Sequence, residues 1–570
     1  MQLRDHIESP CGLRYVFEQL ELQSGYTRRW MLDMPMMRTG EEIAQSYATL
    51  RQFVDFIGRV DTPYINTLQF RLQGLKDIRT TIKNLENKAV LDDIELFEVK
   101  HLAILAVDVA ERLKAHEMDD AVKVPDLNEV ITILDPDGLK MATFYVYDSY
   151  CQELRDLRAQ MRQHPDKQED LLLECAEIEE GVRRDLSQKL FGFAKALHEA
   201  QIALARIDMY LAKALQIKQL GLCFPTIAEG DVTHYEAMFH PQVKDALEMR
   251  KRAFQPVTLT FGQKPTLITG ANMGGKTVVL KTLTLCQYLF QYGFGIPAQS
   301  ADIAVKDEIF FCIGDEQSIE KGLSSFAAEM KNIDAVIKAS RENRKIVALI
   351  DEPARTTNPT EGTALVSALV KVLRGDNVSL VMTTHYDIEP TDARCLRVKG
   401  FENGTMNYEL VEVQDGEVPH EALNIAESLG IDSEWIETAR EFLIIPNSVY
   451  LNPSNSRGLD RGSKSTPQER GDNGLKGQRA YSPGQRPGYR DYPDNNAPQG
   501  QKQLTPHFAF ALTGRHKYVS SFTQGVALGW WLLPLRGVGM PQRERLIELN
   551  KIAIQQMKVL EGVEERRMLK

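Results

Sequence analysis

The sequence predicts a multidomain protein in which an all-α helical core is followed by an α/β domain and then by a tail without regular structure. Helical periodicity dominates residues 1–245, and apolar β-rich runs alternate with helical segments over 246–418. Periodicity is lost after residue 445, where Pro, Gly, Ser and Asn accumulate. A chain of 570 residues is long enough for about three to five domains, because a domain usually holds roughly 100–200 residues.

The composition excludes some classes of protein. With 43% hydrophobic and 26% charged residues, the chain resembles a folded soluble protein, not one that is disordered or membrane-embedded throughout. Its late apolar run falls short of the roughly 20 residues of a membrane span, and its start has no charged-then-apolar leader. Seven scattered cysteines without C-x-x-C spacing indicate reduced thiols. The sequence therefore predicts a cytoplasmic protein without a membrane partner.

The helical core is predicted from long charged-and-apolar periodic stretches, such as residues 41–60, 150–163 and 171–219. Apolar residues at helical spacing in the last of these indicate a helix that buries one stripe. A short strand pair is expected between the helices, at residues 131–134 and 142–147, because an Asp-Pro-Asp-Gly turn signal separates two apolar runs.

The clearest chemical signal is Gly270-Ala-Asn-Met-Gly-Gly-Lys-Thr277, which satisfies the phosphate-loop pattern G-x-x-x-x-G-K-[ST]. A strand-like run precedes it and a helical run follows, which is the order that this loop requires. Glycines let backbone N–H groups surround phosphate oxygens, and the following helix N-terminus adds the positive end of its dipole. Lys276 would reach the β- and γ-phosphates of ATP, and Thr277 would ligate Mg²⁺. The predicted nucleotide-binding residues are Gly270, Ala271, Asn272, Met273, Gly274, Gly275, Lys276 and Thr277.

Two further apolar strands end in polar residues. The run Val347–Ile350 leads to Asp351 and Glu352, which suit Mg²⁺ binding and the orientation or deprotonation of an attacking water, respectively. The run Val378–Thr383 leads to His385, which would sense the γ-phosphate. A lone histidine at a strand end is more often structural, but the carboxyl ends of parallel strands meet at one sheet edge. The sequence therefore predicts that these side chains share one site.

The motifs around these residues resemble those of one family. The Asn-Met-Gly-Gly-Lys core of the loop is similar to that of the MutS family of ABC-type ATPases. The segment Gly322–Met330 resembles the family's signature, in which a serine reaches the nucleotide of the partner subunit, and this implies that role for Ser324 and Ser325. The acidic pair resembles that of the family, and Thr384-His385-Tyr386 resembles its switch histidine. Some loops favour the second MutS subfamily, which is not dedicated to mismatches.

The resemblance covers the chain up to about residue 445 and implies lever-type long helices followed by a P-loop ABC-type ATPase domain. Beyond residue 445 the chain has too few apolar residues to offset the entropic cost of ordering it. A helical pattern returns near the end of the sequence. The predicted units are a helical core (1–245), an ATPase domain (246–418), a helix-turn-helix dimerisation motif (419–445), a disordered linker (446–505) and a tail with a C-terminal helix (506–570).

The sequence also departs from the family. Residues 353–357 lack the glycines that usually follow the acidic pair, so the resemblance extends to the phosphate chemistry but not to the geometry of this loop. The adenine-facing histidine of the family corresponds to Val411 or a neighbour, and Phe254 is the aromatic candidate for stacking on the base. Because the first residues already match the family's core, a mismatch-reading domain, which is N-terminal in the family, is not expected. The nuclease-like C-terminal domain of the second subfamily is not expected either, because nothing beyond residue 446 resembles it.

The resemblance implies an ATPase that is a homodimer or a heterodimer with a related MutS-like subunit, and whose hydrolysis requires assembly. One predicted output is binding of branched or non-canonical DNA, as in a family associated with mismatch repair and recombination. The alternative is an ATP-driven remodeller of a protein client, such as a reactivase for a cobalamin-dependent aminomutase. The net charge of −11, with 12 acidic and 8 basic residues at 141–200, favours the protein client. Binding to the phosphate backbone of DNA requires basic patches on the protein. A structural role without hydrolysis is the weakest option.

Overall fold

The structure is a computed structural model of the chain. Local structure is described for residues 1–140, 143–163, 168–262, 264–270, 275–313, 325–342, 344–386, 388, 393–402, 405–413 and 431–444. The predicted linker and the predicted C-terminal helix lie outside the described residues, as does the first half of the predicted dimerisation motif. The second half of that motif, Ser433–Ile444, is a helix.

The N-terminal region is helical, as predicted. Its helices are α1 (Leu3–His6), α2 (Leu13–Glu18), α3 (Gly25–Leu32), α4 (Gly40–Arg59), α5 (Thr62–Leu72), α6 (Arg79–Glu86), α7 (Asp93–Lys114), α8 (Asn128–Leu134), α9 (Gln152–Gln163), α10 (Gln168–Leu190) and α11 (Ala194–Leu220). A short 3₁₀ turn at Phe191–Phe193 joins α10 to α11, so the stretch predicted as one helix is interrupted once. No described helix combines the length and the hydrophobicity that a bilayer crossing requires.

Local sequence explains where the long helices begin and end. A capping box starts α4, in which Thr39 accepts a bond from the backbone of Glu42 and Glu42 accepts one from the backbone of Thr39. Asp92 and Glu95 form the same arrangement at the start of α7. Gly221 ends α11 in a left-handed conformation, with φ at 64°. Between these caps, α4 and α7 both pack against α11, which forms the spine of the helical region.

Two expectations for the helical region are wrong. Residues 131–134 belong to helix α8, and no strand forms over 143–147. The reason is that Val130 and Leu134, four residues apart, are buried on the same side of one helix, which the short apolar run did not distinguish from a strand. The region is also not all-α up to residue 245, because two strands lie between 226 and 238.

The α/β region contains two sheets. Its strands are β1 (Thr226–Ile227), β2 (Thr233–Met238), β3 (Val257–Phe261), β4 (Thr266–Thr269), β5 (Ser300–Ile303), β6 (Glu308–Ile313), β7 (Ile346–Asp351), β8 (Val378–Thr383), β9 (Arg394–Glu402) and β10 (Thr405–Glu412). Its helices are α12 (Pro241–Met249), α13 (Lys276–Gln291), α14 (Ser325–Ser340), α15 (Pro359–Val372) and α16 (Ser433–Ile444). The smaller sheet has the order β1-β5-β2-β3 and the larger one β10-β9-β4-β8-β7-β6.

The larger sheet is parallel except at one edge. Strands β9, β4, β8, β7 and β6 all run in one direction, and only β10 pairs in antiparallel fashion. Both faces of the sheet are covered, since one face packs on the core that includes α13 and the other on α14 and α15. The central strands β7 and β8 are buried at every position, which explains their continuous apolar sequences.

The helical region is anchored to the end of α13. The hydroxyl of Tyr47, on α4, donates to the carbonyl of Phe294 at 2.7 Å. The ammonium of Lys213, on α11, donates to the carbonyl of Tyr292 at 2.7 Å and lies 4.2 Å from the ring centroid of Phe294. Helix α13 therefore connects the phosphate loop at its N-terminus with the two long helices at its C-terminus.

Candidate active site

Three neighbouring parallel strands end at one edge of the larger sheet. Strand β4 leads into Gly270, β7 ends at Asp351, and β8 ends at Thr383, which is in register with Ile268 of β4. Register also pairs Ile350 of β7 with the penultimate residue of β8. The carboxyl ends of these strands therefore lie side by side, as the sequence predicted, and this is where ligands bind in parallel α/β sheets.

The two described glycines of the phosphate loop are both required by its geometry. Gly270 has φ at 130°, a conformation that only glycine adopts without strain. Gly275 has φ at 75° and caps α13, and a Cβ placed there would lie 3.1 Å from the ring of Tyr408. Residues 271–274, also predicted to contact the nucleotide, lie outside the described residues.

Lys276 begins α13 and is almost fully buried, with 4% of the residue exposed. Its ammonium donates to the carbonyl of Gly270 at 2.6 Å and lies 3.2 Å from Oε1 of Glu352. It therefore lies between the phosphate loop and the acid at the end of β7. The N-terminus of a 16-residue helix and a buried cation together favour an anion at this position.

Asp351 lies between two hydroxyl groups. The Thr277 hydroxyl donates to its Oδ2 at 2.8 Å, and the Thr383 hydroxyl donates to its Oδ1 at 2.7 Å. Only 8% of Asp351 is exposed, so these bonds satisfy a carboxylate that has little access to water. A carboxylate beside a hydroxyl is the hard oxygen donor set that Mg²⁺ prefers, and the residues present therefore fit this ion. No larger cage of three acids, histidines or cysteines occurs among the described residues, and Mg²⁺ bound with phosphates needs none.

Glu352 follows in a left-handed backbone conformation, with φ at 43°. Its backbone N–H donates to the hydroxyl of Thr383 at 2.9 Å, so that one hydroxyl contacts both acids. Besides Lys276, the carboxylate of Glu352 has a second cationic neighbour, the guanidinium of Arg355 at 3.5 Å from Oε2. The carboxylate thus lies at the sheet edge between two cations.

The loop after Glu352 is left-handed again at Ala354, with φ at 61°, although the residue is not glycine. Both backbone groups of Ala354 bind side chains. Its N–H donates to Oε1 of Glu329 at 2.9 Å, and its carbonyl accepts a bond from the Tyr386 hydroxyl at 2.7 Å. Burial raises the pKa of Glu329, against the effect of the bond from Ala354. Ala354 thus adopts a conformation that glycine favours, in a stretch of the loop where the sequence has no glycine.

The remaining predicted site residues are His385, Ser324, Ser325 and Phe254. His385 is exposed just after β8, and its ring centroid is 4.2 Å from that of Tyr386. Ser325 is the first residue of α14, whereas Ser324 lies outside the described residues. Phe254 is half-buried just before β3, where the side chain of its neighbour Gln255 binds the backbone of Tyr408 at 2.9 Å.

Sequence reasoning missed several residues of this site. They are Thr383, Glu329, Tyr386, Arg355 and Tyr408. A threonine at the end of a buried strand indicates a nearby hydrogen-bond partner, because a buried hydroxyl needs one. Tyr386 follows the predicted histidine and was noticed only as part of that motif. No local pattern distinguishes Glu329 from other acids on an amphipathic helix.

Comparisons with known proteins agree with the resemblance. The sequence model of MutS domain V matches residues 266–443, which include the described site. The chain is 27% identical over 403 residues to the endonuclease MutS2 of Caldicellulosiruptor bescii, a match that covers 68% of this chain and 48% of the relative. It is 32% identical over 283 residues to that of Carboxydothermus hydrogenoformans, covering 48% and 35%, respectively.

A shorter match has a higher sequence identity. The chain is 37% identical over 208 residues to the endonuclease MutS2 of Listeria innocua, covering 36% of this chain and 26% of the relative. The chain thus spans about half the length of the relatives it matches, or less. The names of these relatives agree with the predicted second MutS subfamily. Residues 266–443 thus match MutS domain V, and a longer part of the chain is similar to MutS2 endonucleases.

Proposed function

We propose that this chain is an ATP-binding and ATP-hydrolysing switch of the MutS type. The observation that carries the proposal is the convergence of Lys276, Thr277, Asp351 and Glu352 within hydrogen-bonding distance at one sheet edge. These four side chains come from the start of one helix and the end of one strand. A cation, a hydroxyl and two carboxylates beside a helix N-terminus are the groups that phosphoryl transfer to water requires.

Each group has a separate role in this proposal. Lys276 and the N-terminus of α13 bind the β- and γ-phosphates and absorb the charge that develops on them. Thr277 and Asp351 hold Mg²⁺, which supplies further charge neutralisation when it is bound. Glu352 orients the attacking water and accepts its proton. His385, exposed two residues after the end of β8, is the proposed sensor of the γ-phosphate.

The proposed active form is a dimer. In the ABC-type arrangement that the family resemblance implies, Ser324 or Ser325 reaches the nucleotide of the partner subunit. The predicted dimerisation motif includes helix α16, whose Trp435 is 68% exposed, and tryptophan is enriched at protein interfaces. The partner is a second copy of this chain or a related MutS-like subunit. Phe254 is the proposed aromatic contact of the adenine base.

The first proposed target is DNA of branched or non-canonical structure. It is supported by the relatives, which are named endonucleases, enzymes that act on nucleic acids. The second candidate is a protein client that the ATPase remodels. It is favoured by charge, since residues 1–245 hold 41 acidic and only 29 basic residues. A surface of that sign repels a duplex unless basic side chains cluster locally.

Two measurements test these proposals. Wild-type protein should hydrolyse ATP only with Mg²⁺ present, and Lys276→Ala should abolish both hydrolysis and tight nucleotide binding. Absence of hydrolysis by the wild type, alone and with DNA, would overturn the ATPase. Binding of a fluorescent three-way DNA junction should weaken steeply as salt rises if the target is DNA. If no junction binding is detected at low salt, with or without ATP, the protein client remains as the proposed target.

A further inference from the structure

The backbone of Ala354 is held from two sides by side chains that are distant in sequence. The Glu329 carboxylate, on α14, accepts its N–H at 2.9 Å, and the Tyr386 hydroxyl, beyond β8, donates to its carbonyl at 2.7 Å. Neither Glu329 nor Tyr386 is among the residues proposed to bind the nucleotide or Mg²⁺. Ala354 itself has no functional group, so the purpose of these two bonds must lie in the conformation that they impose.

That conformation is costly. Both Glu352 and Ala354 have positive φ, at 43° and 61°, in the left-handed region where residues other than glycine are disfavoured. Such conformations persist only where the surrounding structure determines them fully, and they concentrate at functional sites. The second of these residues lies two positions after the proposed water-orienting acid. Any relaxation of Ala354 would therefore alter the backbone that directs the Glu352 carboxylate.

Tyr386 is itself fixed by its neighbours. Only 7% of the residue is exposed, and its backbone N–H donates to the Thr384 hydroxyl at 3.0 Å. In the first turn of α15, a Cβ at Gly362 would lie 2.3 Å from the Tyr386 hydroxyl oxygen. Glycine at this position therefore makes the room that lets the hydroxyl reach Ala354. The Tyr386 side chain is therefore held in one position as the donor to the Ala354 carbonyl.

We propose that Glu329 and Tyr386 are positioning residues for ATP hydrolysis, which hold the Glu352 carboxylate in place by fixing the backbone of Ala354 from two sides. The proposal rests on the proposed ATPase function and adds to it. Because Glu329 lies one helical turn after Ser325, where α14 begins, a partner subunit that contacts the start of this helix would also act on the Glu352 loop. Subunit assembly and water activation would then be coupled through one turn of α14.

The test separates turnover from binding. Tyr386→Phe and Glu329→Leu should each lower kcat by about ten- to a hundredfold, because misplacing a catalytic group by about 1 Å has effects of that size. The KM and the equilibrium affinity for ATP should stay near wild-type values, since neither side chain contacts the phosphate loop in the described structure. Glu329→Gln should restore most of the activity, because its carbonyl oxygen accepts the same N–H. A fourth variant, Gly362→Ala, should lower kcat by displacing the Tyr386 hydroxyl.

Asp334→Asn is the matched control, since Asp334 is exposed on the same helix and pairs with Lys338 at the surface. All variants are compared at equal folded fraction, from thermal unfolding of the full chain. The inference is overturned if Tyr386→Phe and Glu329→Leu keep the wild-type kcat, or if kcat and ATP affinity fall together. If the wild type itself neither binds nor hydrolyses ATP, the proposed function fails and the inference fails with it. Wild-type hydrolysis with unaffected variants removes the inference alone.

Discussion

The ammonium of Lys276 lies 3.2 Å from the Oε1 atom of Glu352, at the point where the start of α13 meets the end of β7. The same ammonium binds the carbonyl of Gly270. A phosphate group on the loop would therefore compete with the Glu352 carboxylate for one cation. The pair is largely shielded from water, so its electrostatic attraction is stronger than that of a surface ion pair. The competition should therefore have a clear effect on the affinity for the phosphate.

Replacing Glu352 by Gln should separate binding from hydrolysis. The rate of ATP hydrolysis should fall by about 10²- to 10⁴-fold, the usual contribution of a general base. Affinity for ATP should rise, since the Lys276 ammonium loses its competing carboxylate. Single-turnover hydrolysis and equilibrium ATP binding measure the two effects. The control is Glu342→Gln, an exposed acid that pairs with Arg344. A wild-type hydrolysis rate in Glu352→Gln would show that the assigned role is wrong.

Thr383 should determine how well the site binds Mg²⁺. Its hydroxyl donates to the Asp351 carboxylate and accepts a bond from the backbone N–H of Glu352. Thr383→Val removes that hydroxyl while keeping the side-chain shape. We expect the apparent Mg²⁺ affinity of the ATPase to fall by about 10- to 100-fold, as is typical when a partner of a metal ligand is lost. Magnesium titration of the hydrolysis rate measures this change.

The unfolded fraction in Thr383→Val should also increase, because a buried carboxylate oxygen loses its partner at a cost of about 1–3 kcal/mol. Thr383→Ser keeps the hydroxyl and should behave like the wild type in both measurements. If Thr383→Ser and Thr383→Val have the same Mg²⁺ dependence, the hydroxyl does not position Asp351.

The parts of the site that the sequence predicted are those with a local signal. Continuous apolar runs ended by polar residues marked β4, β7 and β8, and the parallel order of such strands places their ends together. A glycine-rich loop before a helix marked Lys276. These signals are local because they arise from strand burial and backbone conformation, both of which are written in consecutive residues.

The parts that could not be predicted depend on tertiary contacts. The bond from Ala354 to Glu329 joins a loop to a helix 25 residues earlier, and no periodicity encodes it. Strand β2 was missed because its six residues follow long helices and resemble a polar loop. The wrong strand at 131–134 shows the converse. A run of four residues, three of them apolar, is too short to distinguish the two periods, and the burial of Val130 and Leu134 on one side favours a helix.

The helical region contains a buried ion pair whose disruption should be costly. The Lys100 ammonium donates to Oδ1 of Asp135 at 2.8 Å and to the Tyr147 hydroxyl at 2.9 Å, and both charged side chains are 1% exposed. The backbone N–H of Lys140 binds the other oxygen of Asp135. Lys100→Met would leave a buried carboxylate without its cation, and should lower the free energy of unfolding by about 3–5 kcal/mol.

Chemical denaturation followed by helix content measures this loss. The double variant Lys100→Met with Asp135→Leu removes both charges and should recover a large part of the stability, because an apolar pair of similar size tolerates burial better than a single charge. An exposed pair, Lys189 with Asp185 on α10, provides the control, since its disruption should have little effect. A double variant less stable than Lys100→Met would contradict this account.

Lys213 should make the stability of the chain depend on pH above neutrality. Burial lowers its pKa from 10.5 to about 7, and its ammonium donates to a neutral group, the Tyr292 carbonyl. Below about pH 7 both the folded and the unfolded chain carry the proton, so the cost of burying the charge is present in full. Between about pH 7 and 10.5 only the unfolded chain binds it, and the free energy of unfolding should therefore rise with pH.

Comparing the wild type with Lys213→Met between pH 7 and 9 isolates this contribution. Methionine keeps the unbranched chain but cannot titrate, so the urea midpoint of the wild type should rise with pH relative to that of the variant. Lys218→Met, an exposed lysine on the same helix, should leave the slope unchanged. Parallel pH profiles for the wild type and Lys213→Met would mean that the lysine keeps an ordinary pKa in the folded chain. A difference in slope would instead identify the junction of α11 with the end of α13 as a place where protonation acts on the helix that begins at the phosphate loop.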